Sequence, residues 1–116
     1  MGDFIEAGKV SDFEDGAKKK LQAQGHEILL ARIKDEFYAV SNRCPHLGGD
    51  LSEGRLEGTI ITCPRHGSQF DIRDGKTIRW LKGSGIFSAV GKALKPPKPL
   101  ETYNVKIEDN VVRIEI

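Results

Sequence analysis

The chain has 116 residues, 38% of them hydrophobic and 30% charged, with a net charge of +1, which suits one domain with a modest core and excludes a general polyanion binder. Thirteen glycines against one methionine and one tryptophan suit a turn-rich β protein. Met1-Gly2-Asp3-Phe4 has no charged or apolar leader character and no apolar run approaches a membrane span, so the expectation is a soluble cytoplasmic protein.

The predicted elements are short strands separated by turn signals, with no internal repeat and no long segment of helical period. Phe4 to Val10 is a candidate edge strand. Lys18 to Gln24 turns at Gln24-Gly25 into His26 to Ile33, where Ile28, Leu29, Leu30 and Ile33 supply apolar weight. Lys34-Asp35-Glu36 is a hairpin turn and Phe37 to Ser41 the returning strand. Gly54 to Gly58 is a further turn signal, followed by the β-branched strand Thr59 to Thr62. Gln69 to Arg73 and Lys76 to Arg79 flank an Asp74-Gly75 turn. Tyr103 to Ile107 and Val111 to Ile116 surround Glu108-Asp109-Asn110 as a C-terminal hairpin. Between these lies Trp80 to Lys95, where Ser84 could cap a short helix carrying Ile86, Phe87, Val90 and Leu94, until Pro96-Pro97 stops it.

The chemistry sits in two of the connections. Cys44-Pro45-His46 and Cys63-Pro64-Arg65-His66 hold both cysteines and two of the three histidines. Each segment offers one thiolate and one imidazole, so folding the two together can close a four-ligand metal site. Pro45 and Pro64 fix φ immediately after each cysteine, and Gly48, Gly49 and Gly67 give the backbone clearance that a Cβ would remove. The same donor atoms suit a structural zinc site. A Cys44–Cys63 disulfide would leave both histidines unexplained. His26 stands apart from other ligands and reads as an ordinary strand or turn residue.

The two segments, read with their flanks as Ser41-Asn42-Arg43-Cys44-Pro45-His46-Leu47-Gly48-Gly49 and Cys63-Pro64-Arg65-His66-Gly67-Ser68-Gln69-Phe70-Asp71, resemble the two cluster loops of Rieske ferredoxins. The resemblance implies an all-β Rieske fold of three small antiparallel sheets over residues 1–116. The cluster-binding loops would span about 42–71, and the atypical insertion about 80–95. It implies one 2Fe–2S cluster per chain, with one iron held by Cys44 and Cys63 and the other by His46 and His66 through Nδ1. Two neutral imidazoles in place of two thiolates remove two negative charges. At about 4 kcal/mol per nearby unit charge, this raises a one-electron potential by roughly 0.3 V over a four-cysteine cluster.

Within that family, members that oxidise quinols carry a disulfide between the loops, at positions that read Gly49 and Arg65 here. High-potential members place a serine and a tyrosine where this chain has Ser68 and Phe70, so one of two tuning hydroxyls is kept. The resemblance therefore implies a potential toward the low end of the Rieske range. It also implies a one-electron carrier passing electrons from a reductase to an oxygenase or related redox enzyme. The alternatives are the cluster-bearing small subunit of a reductase such as nitrite reductase, and a zinc module. No further ligand set for a mononuclear iron is present, so the chemistry would belong to the partner. The exposed tip would show Leu47 beside the histidines, ringed by Arg43 and Arg65. Residues 75–100 carry six basic residues and no acid, a solvated face or a docking surface for an acidic partner.

Overall fold

Three two-residue turns set the architecture. Gln24 and Gly25 adopt φ of 52° and 81°, and Asp109 and Asn110 adopt 49° and 66°, the paired left-handed conformations that match the twist of a tight hairpin. Lys34, with φ 57°, begins the third. The computed structural model describes residues 4–45, 49–64, 67–79 and 99–116, and among them eleven strands form three antiparallel sheets. This is the expected all-β class.

The strands β2 (Lys18–Ala23), β3 (His26–Ile33) and β4 (Glu36–Ser41) follow one another by hairpins. With β9 (Thr102–Tyr103) they make a sheet ordered β2-β3-β4-β9. A second sheet orders β1 (Phe4–Lys9), β11 (Val111–Glu115) and β10 (Val105–Glu108). The third is a meander of β5 (Arg55–Glu57), β6 (Ile60–Thr62), β7 (Gln69–Asp71) and β8 (Thr77–Arg79).

The β2–β4 sheet is buried on both faces, which explains the unbroken apolar run in β3. Successive side chains there alternate between two cores. Leu29 and Ala31 join Val40, Cys44, Leu51, Ile61, Cys63, Phe70, Ile72 and Leu100. Ile28 and Leu30 join Phe13, Phe37, Ala39, Val112 and Ile114 on the opposite side, where Phe13 and Phe37 meet edge to face at 5.3 Å. The first core carries both cysteines; the second cements the terminal sheet.

Two expectations needed correction. The Gly54–Gly58 stretch is not one turn: Arg55–Glu57 pairs with Ile60–Thr62, and the chain reverses at Gly58-Thr59. Gly54 is there for closeness, since a Cβ would lie 1.9 Å from the Thr62 carbonyl oxygen. The expected strand from Tyr103 to Ile107 breaks at Asn104, where the chain changes sheets. Thr102 and Tyr103 pair with Val40 and Ala39, whereas Val105 pairs with Ile114. The 3₁₀ turns Val10–Asp12 and Leu51–Glu53 were not anticipated. The Trp80–Lys95 segment lies outside the described residues.

Candidate metal centre

Both cysteines open a loop closed by the same backbone hydrogen bond. The Cys44 N–H donates to the Gly49 carbonyl at 2.8 Å, and the Cys63 N–H donates to the Ser68 carbonyl at 2.7 Å. Each loop thus runs six residues from its cysteine to the residue that accepts its N–H. Cys44 and Cys63 are each 2% exposed, belong to the same hydrophobic core, and are not joined by a disulfide. In the second loop Gly67 takes φ 74°, and its N–H donates to the Cys63 carbonyl at 3.0 Å, a tight turn that a side chain would strain. Ser68 and Phe70 are fully buried behind it.

The loops leave their strands differently. The second extends the β6–β7 ladder, in which Thr62 faces Gln69, and the Gln69 amide donates to the Thr62 hydroxyl at 3.2 Å. The first follows β4 and ends on the Leu51–Glu53 turn, joined across its neck by the single bridge Arg43–Asp50. Asn42, with no exposed surface, secures that neck through four groups. Its N–H donates to Glu27 O at 2.9 Å and its carbonyl accepts from the Leu51 N–H at 2.9 Å. Its side-chain amide donates to Asp50 at 2.7 Å, while its Oδ1 accepts from the Ser52 N–H at 2.8 Å. Burial alone would push the Asp50 carboxyl up. Hydrogen bonds from Ser52, Asn42 and Lys20 outweigh it and hold the group well below the usual carboxylate range. Ionised Asp50 is therefore a fixed acceptor at the loop's foot.

At the end of β7 away from that loop, Asp71 is held below the ordinary carboxylate range by Arg73, whose Nη2 and Nε donate at 2.7 and 3.1 Å, against the opposing effect of burial. The adjoining Gly75 has φ 77°, and its carbonyl accepts from the Leu100 N–H at 2.7 Å, which ties the C-terminal segment to the meander.

Of the residues singled out in the sequence, Cys44, Cys63 and Phe70 share the first core, and Gly67 and Ser68 close the second loop on Cys63. His46, Leu47, Arg65 and His66 lie outside the described residues. His26 begins β3, exposed, with Nδ1 3.2 Å from the Tyr103 hydroxyl, as an ordinary strand histidine. Arg43 is exposed but bound to Glu27, Nε to Oε2 at 2.9 Å. Sequence reading passed over Asp50, Ser52, Lys20 and Glu27. The one local signal was the Asp50-Leu51-Ser52 cap pattern six residues beyond Cys44.

The donor set fits a 2Fe–2S cluster on what is described. Two buried thiols stand at the heads of matched loops in one core, and each loop tip carries one histidine in the sequence. Comparison with known proteins agrees. Residues 3–90 match the Rieske [2Fe-2S] domain, and the chain belongs to that family. It is 34% identical over 115 residues to the ferredoxin component of the naphthalene 1,2-dioxygenase system of Pseudomonas putida, covering 97% of this chain and 95% of that protein. With the ferredoxin component of biphenyl 2,3-dioxygenase from Rhodococcus jostii (strain RHA1) it shares 30% over 105 residues, covering 90% and 85%. A chain in the complex of reduced oxygenase and oxidised ferredoxin of carbazole 1,9a-dioxygenase superposes with a TM-score of 0.78 at 26% identity, covering 97% of this chain and 92% of that one.

Proposed function

We propose that this chain, as a single Rieske domain over residues 1–116, is a cytoplasmic one-electron carrier that takes electrons from a reductase and delivers them to an oxygenase. It carries out no bond chemistry of its own. The observation that carries this reading is the pair of identically closed loops, each headed by a buried cysteine in one core. Its relatives' names as ferredoxin components of dioxygenase systems support it.

Cys44 and Cys63 would hold one iron of a single 2Fe–2S cluster, and His46 and His66 the other. When bound, the cluster supplies a reversible one-electron couple. The chain's own residues do the rest. Leu29, Leu51, Ile61 and Phe70 share the buried core with the cysteines, and such apolar surroundings favour a cluster of low net charge over a highly charged one. Buried Ser68 follows Gly67 at the closure of the second loop and is the candidate hydroxyl for tuning the couple. Among the described residues no helix is long and apolar enough to cross a membrane. Anaerobic titration with a reductant should take up one electron per chain, and the reduced protein should then support turnover of a ring-hydroxylating oxygenase. Uptake of no electrons, or of two, would contradict the reading.

A further inference from the structure

The two loops close alike but are anchored unequally. The second rests on a β ladder, whereas the first has one isolated bridge at its neck and a three-residue 3₁₀ turn beyond. Beyond Asn42 and its local partners, the first neck is also held from β2 and β3, far away in sequence. Lys20 Nζ lies 3.0 Å from Asp50 Oδ2 and 3.7 Å from Glu27 Oε1. Glu27 Oε2 in turn accepts from Arg43 Nε at 2.9 Å, and Arg43 is the bridge partner of Asp50. Arg43, Glu27, Lys20 and Asp50 therefore form a run of three ion pairs, two cations against two anions with zero net charge, which the Arg43–Asp50 backbone bridge closes into a ring. Lys18 Nζ adds a bond to the Ser52 carbonyl at 2.6 Å on the same side.

Isolated surface ion pairs contribute little, but a network whose members also hydrogen-bond to buried groups is held in one geometry. Here the buried groups are the Asn42 side chain and the Ser52 N–H, both bonded to Asp50, and the Glu27 side chain is largely covered. Pulling the neck open would break the Arg43–Asp50 backbone bridge and one of the three ion pairs together. Because the ring sums to zero, it can fix the neck without placing a net charge beside the cysteines.

We propose that Lys20 and Glu27 are positioning residues for the first cluster loop: through Asp50 and Arg43, which flank the loop, they set where Cys44 is held. This rests on the reading that Cys44, Cys63, His46 and His66 carry a cluster. Lys20 and Glu27 act through the residues that do the flanking.

The test uses the cluster-loaded protein. Lys20→Met/Asp50→Asn opens the ring and leaves the net charge unchanged. Lys106→Met/Glu108→Gln removes a comparable exposed pair on β10 and serves as the control. The ring variant should lose its cluster to an excess iron chelator at least threefold faster than wild type and show broadened EPR lines from a wider spread of site geometries. The control and Lys20→Arg, which keeps the pair, should match wild type. If the ring variant does not fold, Glu27→Gln gives the same two readings. Release rates and line widths equal to wild type in whichever ring variant folds would overturn the proposal. A wild-type protein that never takes up a cluster overturns the underlying reading instead, and shows itself before any variant is made.

Discussion

Ser68 and Phe70 are the two positions at which we propose that the potential of this site is set. Both are fully buried in or beside the core that holds the cysteines, and only the first has a hydroxyl to offer. A net hydrogen bond of about 1–1.5 kcal/mol to the reduced site shifts a one-electron potential by roughly 40–65 mV. Ser68→Ala should therefore lower the potential by tens of millivolts, and Phe70→Tyr should raise it where the added hydroxyl meets a thiolate; protein-film voltammetry reads both. An unchanged Ser68→Ala potential would remove the serine from this role. Asp71 works on stability instead. Its carboxyl is held below the ordinary range by Arg73, so its contribution is fully present above the unfolded pKa, about 4, and is lost as pH falls through the lower folded value. Asp71→Asn should cost about 2 kcal/mol by urea denaturation at pH 7 and much less in strong acid. An equal cost at both pH values would show that shape, not charge, matters there.

The elements show what a sequence can and cannot disclose. The strand His26–Ile33 was legible to the residue, because its apolar run ends at turn residues on both sides. That the run feeds two cores was not legible, since periodicity in a doubly buried strand carries no face preference. Asn104 shows the same limit: nothing local marks the point where a chain leaves one sheet for another, and only the partners of Thr102 and Val105 reveal it. Gly54 looked like a turn residue, yet its reason is the Thr62 carbonyl eight residues on. The cysteines stood out as candidate ligands because metal donors are few in kind and closely spaced, and the structure places both in one core; the two loop histidines lie outside the described residues. The ring around Asp50 did not stand out, because Lys20 and Asp50 are 30 residues apart and charged residues are common everywhere. The division of β3 between two cores makes a prediction. Leu29→Ala and Leu30→Ala should each cost about 3 kcal/mol in denaturation. Only Leu29→Ala, on the cysteine side, should also speed cluster loss. Equal effects on the cluster would mean the two cores act as one.

At the scale of the whole molecule, the second core joins the terminal sheet to the β2–β4 sheet, and the first core joins that sheet to the β5–β8 meander and both cysteines. Charge is distributed unevenly over this frame, with six basic residues and no acid across residues 75–100. Arg43 is bound to Glu27 yet exposed, and we propose that it steers an acidic partner together with Arg65 and the basic segment from 76 to 98. Arg65→Glu/Lys82→Glu should slow electron delivery to an oxygenase, and the wild-type rate should fall as salt shortens the Debye length below about 10 Å. The potential should stay nearly constant. Rates indifferent to both changes would leave the basic segment as a solvated face.

The central claim is a cluster held by two thiolates and two imidazoles, and one measurement addresses it directly: pulsed EPR of the reduced protein, prepared anaerobically with its iron and acid-labile sulfide quantified on the same sample. The expected result is about two irons and two sulfides per chain, with a rhombic signal carrying nitrogen couplings from two imidazoles, one lost in His46→Ala and the other in His66→Ala. His26→Ala should leave the spectrum unchanged. Stoichiometric zinc without sulfide, or a reduced cluster with no nitrogen coupling, would contradict it.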